Sequence, residues 1–101
     1  MRAIVFFDLP TLTSSDRKEF SKFRKYLLKN GFIMMQESVY IKLALNQTVM
    51  NTITNNLEKN RPPKGLVQLL VVTEKQFAEM KFLIGSGSST IINSTEKLVV
   101  L

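Results

Sequence analysis

Apolar residues follow two different spacings along this chain of 101 residues, and the spacing predicts the order of its elements. Short apolar runs rich in β-branched and aromatic residues predict four strands. These runs lie at about 3–7, 32–36, 38–44 and 66–73. Apolar residues at intervals of three and four predict two helices. These helices cover about 14–30 and 46–60. The predicted order is therefore β-α-β-β-α-β.

The ends of both helices carry residues that favour a start or a stop. Thr13 and Asp16 have the spacing of a helix-capping pair, and Asn46 can cap the second helix. Gly31 suits the position just past a helix, and the pair Pro62-Pro63 cannot continue one. The helix boundaries therefore rest on local chemistry as well as on periodicity.

This order of elements is that of the ferredoxin-like α+β fold, which we assign to residues 1–80. The fold places four antiparallel strands in one sheet and both helices on one of its faces. The run 66–73 is apolar at almost every position and predicts a buried strand. We expect the sheet face without helices to be apolar as well, and to meet a partner chain. The second helix is predicted to place four residues in the core: Val49, Met50, Ile53 and Leu57.

Residues 81–101 form a C-terminal tail outside this domain. Before it, Thr73 can cap a short helix that contains Phe77. A Gly/Ser-rich link over 85–90 leads to the apolar terminal run 98–101, which predicts a strand. A strand on a flexible link docks on an exposed sheet edge, in its own chain or in a neighbour.

Composition limits the chemistry that the chain can perform. There is no Cys and no His, so disulfides, thiol nucleophiles, Cys/His zinc sites and His general bases are excluded. The formal net charge of +6 indicates a polyanionic partner such as nucleic acid, although a basic soluble protein would show it too. We find no signal peptide or membrane-spanning stretch and expect a cytoplasmic protein without a membrane partner.

A stripe of lysines is predicted on the first helix, opposite its apolar face. The lysine stripe consists of Lys18, Lys22, Lys25 and Lys29, with Arg17 and Arg24 beside it. The ordinary interpretation is the solvated face of an amphipathic helix. Such a face usually mixes charges of both signs, whereas this one is almost purely positive. We therefore favour contacts with phosphates, and regard Arg61 and Lys64 as weaker candidates.

Asp8 is the candidate site residue, because it follows directly on the first buried strand. A carboxylate at a strand end is a place where metal binding or proton transfer occurs. The alternative is that Asp8 caps the following turn with Thr11 or Thr13. Two aromatic residues that could stack on bases, Phe7 and Tyr40, are interpreted as core residues. Ser38 is interpreted as a turn residue.

These segments together resemble the CRISPR-associated Cas2 family, in the short form of the Cas9-type systems. Five stretches carry the resemblance: Phe6-Phe7-Asp8-Leu9-Pro10, Asp16-Arg17-Lys18, Phe23-Arg24-Lys25, Gly31-Phe32 and Met35-Gln36-Glu37-Ser38-Val39-Tyr40. The order and length of the whole chain match. The strand-end Asp and the Gln-x-Ser-Val-aromatic segment are fairly specific in combination.

The resemblance implies a homodimer whose last strand crosses to the sheet of the partner. It implies a spacer-acquisition protein that lies between two dimers of the Cas1 integrase and spans the double-stranded DNA to be inserted. Many family members have also been described as metal-dependent nucleases, in which the strand-end Asp residues of both subunits hold a divalent metal. In this chain that catalytic and metal-binding residue would be Asp8, with Mg²⁺ as the cofactor.

Two main hypotheses follow. The first is a DNA-binding adapter that bridges integrase dimers, with contacts from Arg17, Lys18, Arg24 and the rest of the lysine stripe. The second is a Mg²⁺-dependent phosphodiesterase that uses a pair of Asp8 residues across the dimer axis. The basic stripe is extensive and the candidate catalytic apparatus is one residue type, so the adapter is favoured. A third class, an RNA-binding or ligand-sensing ferredoxin-like module, stays open, as does capture of the tail by the integrase.

Overall fold

The computed structural model describes residues 1–85 and contains four strands and three helices. The strands are β1 (Arg2–Asp8), β2 (Ile33–Gln36), β3 (Val39–Leu43) and β4 (Leu66–Val72). The helices are α1 (Ser14–Lys29), α2 (Gln47–Lys59) and the short α3 (Glu74–Ala78). Each predicted element is present within a few residues of its expected bounds. The predicted terminal strand and the link before it lie outside the described residues.

The four strands form one antiparallel sheet in the order β2-β3-β1-β4. With a helix after β1 and another after β3, this topology confirms the ferredoxin-like α+β fold. The two central strands are β1 and β3. Because β1 pairs along its whole length with β4 and along most of it with β3, every residue of β1 has a fixed position relative to its neighbours.

Local hydrogen bonds fix where the helices begin. The Thr13 hydroxyl accepts from the backbone N–H of Asp16, and the Asp16 carboxylate accepts from the backbone N–H of Thr13. This reciprocal capping box confirms the predicted start of α1. Asn46 caps α2 by accepting from the backbone N–H of Val49. Gly31 follows α1 with a φ of +88°, a conformation that glycine adopts without strain.

The main core lies between the sheet and helices α1 and α2. Side chains of β1 alternate, and Ala3, Val5 and Phe7 point into this core. They meet four buried residues of the helices: Phe23, Leu27, Met50 and Ile53. Phe7 packs edge-on against the Phe23 ring at a centroid distance of 5.3 Å, and Tyr40 lies at 5.6 Å from Phe7. The interpretation of Phe7 and Tyr40 as core residues is therefore confirmed.

One residue of α2 does not occupy its predicted core position. Val49 is 36% exposed, whereas Met50, Ile53 and Leu57 are buried as predicted. The buried stripe of α2 starts at Met50 and follows the spacing i, i+3, i+7. Val49 lies about 100° from Met50 around the helix, so it falls on the rim of the stripe.

The other face of the sheet, which we call the open face, is not covered by α1 or α2. It is formed by the alternate residues of each strand, since side chains point to opposite sides in turn. Exposed apolar residues lie on it in three strands: Ile33, Leu43, Leu66 and Leu70. This confirms the predicted apolar character of that face.

The prediction of a buried strand at 66–73 is wrong in one respect. No residue of β4 is buried, and Leu66 and Leu70 are about half exposed. The reason is that β4 is an edge strand, paired only with β1 within residues 1–85. Its continuous apolar run therefore does not indicate a central strand. It indicates an apolar surface that stays exposed in one copy of residues 1–85.

Helix α3 packs at the start of β1, on the open face. The Arg2 side chain donates from Nε to both carboxylate oxygens of Glu74, at 2.9 and 3.1 Å. The Arg2 guanidinium also lies 4.6 Å from the centroid of the Phe77 ring. The hydrogen bond from Arg2 holds the pKa of Glu74 below its usual value. These contacts fix where the chain leaves the domain after β4.

Truncation of a core leucine provides a test of this packing. Leu27 is fully buried between α1 and the sheet, and Leu27→Ala should lower the free energy of unfolding by about 2–5 kcal/mol. The matched control is Leu12→Ala, since Leu12 is 88% exposed and should change it by less than about 0.5 kcal/mol. Urea unfolding followed by circular dichroism measures both. Equal effects of the two substitutions would contradict the described core.

Candidate nucleic-acid and metal-binding surfaces

Asp8 is the last residue of β1 and its side chain is exposed. It pairs in register with Leu66 of β4, and strand alternation puts it on the same side as Ile4 and Phe6. Asp8 therefore belongs to the open face, at the end opposite α3. Among the side-chain hydrogen bonds found within residues 1–85, none involves Asp8. The predicted capping bond to Thr11 or Thr13 is not formed there, because Asp16 takes that place at Thr13.

The described residues of one chain do not assemble a metal site around Asp8. No group of three or more Asp and Glu side chains within residues 1–85 is close enough to hold a metal ion. A single carboxylate supplies one or two of the oxygen ligands that Mg²⁺ requires. Beyond the Asp8 carboxylate, the remaining ligands of a metal ion would have to come from water, from a substrate phosphate or from a residue of a second copy.

The backbone around Asp8 is held by a close approach of the loop that leads into β4. Gly65 has a φ of +101°, and a Cβ atom there would lie 2.9 Å from the Asp8 carbonyl oxygen and 2.7 Å from Leu9 Cδ2. A glycine is therefore required both by conformation and by space. The end of β1 and the start of β4 are locked together at the position from which Asp8 projects.

One ion pair joins the loop before β4 to the start of α1, and one arginine of α1 bonds to the loop before that helix. Lys64 Nζ lies 3.1 Å from Asp16 Oδ1, and this hydrogen bond holds the pKa of the buried Asp16 carboxyl below its usual value. Arg17 donates from one nitrogen to the carbonyl oxygens of Thr11 and Leu12, at 3.1 and 3.0 Å. Sequence analysis missed both contacts. Asp16 and Lys64 are 48 positions apart, and no periodic pattern connects them.

The lysine stripe is exposed along the whole of α1, as predicted. None of its four lysines, nor Arg24, forms a salt bridge within the part of the chain that the structure describes. Phe23 and Leu27 of the same helix point into the core, so the stripe faces solvent on the far side of the helix layer. The stripe extends for about 16 Å, from 11 helical steps of 1.5 Å.

The remaining predicted residues have assigned contacts. Lys64 is engaged with Asp16, and Arg61 donates from one nitrogen to the carbonyl oxygen of Glu58 at 2.8 Å. Ser38 has a φ of +65° and lies in the turn between β2 and β3, which confirms its interpretation as a turn residue. Its carbonyl oxygen accepts from the backbone N–H of Phe7 at 3.1 Å.

The two candidate surfaces lie on opposite sides of the molecule. The lysine stripe faces away from the sheet, on the outside of the helix layer. Asp8 projects from the open face, on the other side of the sheet. Nothing in the sequence revealed this separation, because it depends on which face of β1 the helices cover.

The fold and these surfaces define a ferredoxin-like domain with a basic helix layer and a strand-end carboxylate. A family profile described as "CRISPR associated protein Cas2" matches residues 1–80. This chain is 55% and 50% identical to two proteins named "CRISPR-associated endoribonuclease Cas2". They come from Treponema denticola and Streptococcus mutans serotype c (strain ATCC 700610 / UA159), respectively. Both matches extend over 101 residues and all of this chain, covering 100% and 93% of those proteins.

A protein of the same name from Ligilactobacillus salivarius is 44% identical over the full length of both chains. The chain belongs to the CRISPR-associated Cas2 family. The resemblance noted from the sequence is thereby confirmed. Within residues 1–85 there is no helix of the length and apolar character needed to cross a membrane.

The close approach at Gly65 predicts a specific sensitivity. Gly65→Ala should lower the free energy of unfolding by about 1–3 kcal/mol or more, because the new Cβ meets backbone atoms and φ is positive. Gly85→Ala is the matched control, since Gly85 has a φ of +92° but a Cβ there would have no atom of residues 1–85 within 4 Å. Thermal unfolding of both variants separates the two effects. Both glycines have a positive φ, so the extra loss of stability in Gly65→Ala measures the close contact of the new Cβ atom. A Gly65→Ala variant no less stable than Gly85→Ala would contradict the locked strand end.

The lysines of the stripe repel one another. Replacing one of them by an acidic residue should therefore stabilise the free protein and weaken its binding to a polyanion. Lys25→Glu converts repulsion with Lys22 and Lys29 into attraction, and should raise the free energy of unfolding by roughly 0.5 kcal/mol at low salt. High salt should remove this gain. Lys25→Gln, which only removes the repulsion, should fall between Lys25→Glu and wild type. A wild type that is the most stable of the three at low salt would contradict the described arrangement.

Proposed function

We propose that this protein is a CRISPR adaptation protein that acts as a homodimeric, double-stranded-DNA-binding adapter between integrase dimers. The observation that carries this proposal is the separation of the two surfaces. A duplex bound along the lysine stripe lies outside the helix layer, whereas Asp8 lies on the open face. DNA can therefore be held by the stripe without reaching the carboxylate.

The charge on the stripe supports recognition of the DNA backbone. Its four lysines project from one side of α1 and are not neutralised by acidic side chains within residues 1–85. Lysines at this spacing repel each other in the free protein, and phosphates relieve that repulsion. Contacts of this kind depend on charge and position and not on base sequence. Binding should therefore weaken steeply with salt.

The open face supports the homodimer. Exposed apolar residues on an otherwise folded sheet indicate a surface that another chain covers. A second copy is the occupant that we propose, because a two-fold axis through this face brings like residues together. Within residues 1–85 the outer edge of β4 has no strand partner, lies beside the same face and can accept a further strand. The terminal run 98–101 of a partner is our candidate for that strand.

Family membership supports the connection with the integrase. The chain belongs to the Cas2 family, and its resemblance to the short form of the Cas9-type systems implies a place between two dimers of the Cas1 integrase. In this role a dimer presents two lysine stripes, one on each outer helix layer. We propose that the pair sets the distance between the integrase active sites.

Insertion of new spacers in cells provides the test of the adapter. The variants are Asp8→Ala and a change of all four stripe lysines to Glu, which keeps the like-charge spacing on α1 and reverses its sign. Each variant is first checked for dimer formation by light scattering. The adapter predicts insertion at the wild-type level for Asp8→Ala and loss of insertion for the stripe variant.

A charge-matched pair of variants controls for net charge. Lys22→Glu/Lys25→Glu alters the stripe, whereas Lys75→Glu/Lys81→Glu makes the same change in charge in and after α3. The adapter predicts that the first pair lowers insertion far more than the second. Loss of insertion in Asp8→Ala, with folding, dimer formation and DNA binding intact, would contradict the adapter as the whole function.

A Mg²⁺-dependent endonuclease is the second candidate. The relatives described above are named endoribonucleases, and Asp8 is an exposed carboxylate on the face where a second copy would dock. Two Asp8 carboxylates at a two-fold axis would supply oxygen ligands of the kind that Mg²⁺ prefers. A bound metal there would lower the pKa of a water and orient it toward a phosphodiester.

Metal binding can be measured without any assay of cleavage. Titration with Mn²⁺ followed by electron paramagnetic resonance should show one bound ion for two chains if the Asp8 pair forms a site. Asp8→Asn keeps the shape of the side chain and should abolish this binding, while Glu37→Gln serves as an exposed acidic control. Equal binding of Mn²⁺ by wild type and Asp8→Asn would exclude the paired site.

A further inference from the structure

A recess opens beside the lysine stripe, between α1 and the end of α2. Lys22 lines it from α1, and Lys59 and Arg61 line it from the other side. Among residues 1–85, Glu19 is the one acidic residue that lines it. The three cations leave the recess with a net positive charge. Lys22 is therefore shared between the stripe and this recess, so that positive charge continues across the gap between the two helices.

The local contacts of Lys59 and Arg61 leave their charges available. Lys59 is exposed in the last turn of α2, and no salt bridge within the described part of the chain engages it. Arg61 uses one nitrogen for the carbonyl oxygen of Glu58. A guanidinium has five N–H donors in a planar fork, so this bond uses one of them, and no other Arg61 side-chain hydrogen bond is found within residues 1–85. Ending α2 therefore accounts for only part of the positive charge and of the hydrogen-bond donors that Lys59 and Arg61 carry.

The ordinary explanation for Lys59 is its favourable position at a helix C-terminus, where cations are stabilised. That explanation does not extend to Arg61, which lies beyond the helix, nor to Lys22, which lies in the middle of another one. Three cations, from α1, from the last turn of α2 and from the segment after α2, line one concave surface. Their mutual repulsion is compensated only in part by Glu19, and an anion in the recess would remove it.

We propose that this recess is a binding site for a backbone phosphate, held by Lys22, Lys59 and Arg61. The site extends the DNA-binding surface from α1 to the end of α2. The inference rests on the proposed function, since the phosphate is that of the same duplex. A strand that follows the stripe on α1 enters the recess at Lys22 and continues over the end of α2. Arg61 supplies the planar donors that match phosphate oxygens, and Lys22 and Lys59 supply point charges.

The test measures binding of a fluorescent DNA duplex of mixed sequence to the full chain over a range of salt concentrations. In Lys59→Gln/Arg61→Gln the glutamine at 61 can still donate to the Glu58 carbonyl, so the end of α2 is preserved. This variant should bind on the order of tenfold more weakly, and the slope of log affinity against log salt should fall by about two. Lys75→Gln/Lys81→Gln carries the same change in charge in and after α3 and, once light scattering has shown that it still forms the dimer, should retain both values.

A gain in affinity provides the second arm. Glu19→Gln removes the one acidic lining residue and should bind the duplex several-fold more tightly, a result that faulty folding does not produce. Glu79→Gln, outside the recess, should bind like wild type. Wild-type affinity and salt slope in Lys59→Gln/Arg61→Gln would overturn the phosphate-binding site. If the stripe variant still lost binding in that case, the proposed function would stand without this site. A wild type with no salt-dependent affinity for the duplex would overturn the proposed function itself.

Discussion

Packing of both long helices on one side of the sheet is the constraint on which the rest of this structure depends. Phe7, in the centre of that packing, contacts Phe23 and Tyr40, and its neighbours in β1 alternate with it. Once Phe7 points to the helices, Asp8 must point away from them. The same packing turns the lysines of α1 outward, because Phe23 and Leu27 occupy the inner side. One choice of face therefore separates the basic surface from the carboxylate.

The elements and the helix surfaces could be predicted from the sequence because local rules decide them. Thr13 and Asp16 form their capping box within four residues, and the alternation of apolar and charged residues in α1 sets its two faces. Position within the sheet is a different matter. The run 66–73 looks buried by composition, yet β4 is an edge strand, and only the strand order shows this. An apolar run indicates that a strand has surface to bury, but it does not indicate which element or chain buries that surface.

The surroundings of Asp8 depend on residues far apart in the chain. Lys64 reaches Asp16, and Gly65 approaches the Asp8 backbone so closely that no side chain would fit. Arg17 is bound to the carbonyl oxygens of its own loop, so part of its capacity serves the structure. Arg17 was named from the sequence as a candidate for DNA contact, together with Lys18 and Arg24, and all three lie in segments that resemble the family. Its contacts show that a basic residue in such a segment can also have a structural task.

We propose that two copies meet through their open faces and that the dimer, with its helix layers outward, is the form that binds DNA. Native mass spectrometry of the full chain with a short DNA duplex tests this most directly, because it counts chains and duplexes in each complex. We expect a dimer in the absence of DNA and complexes of two chains with one duplex in its presence. Single chains bound to DNA, or a dimer that disappears when DNA is added, would contradict it.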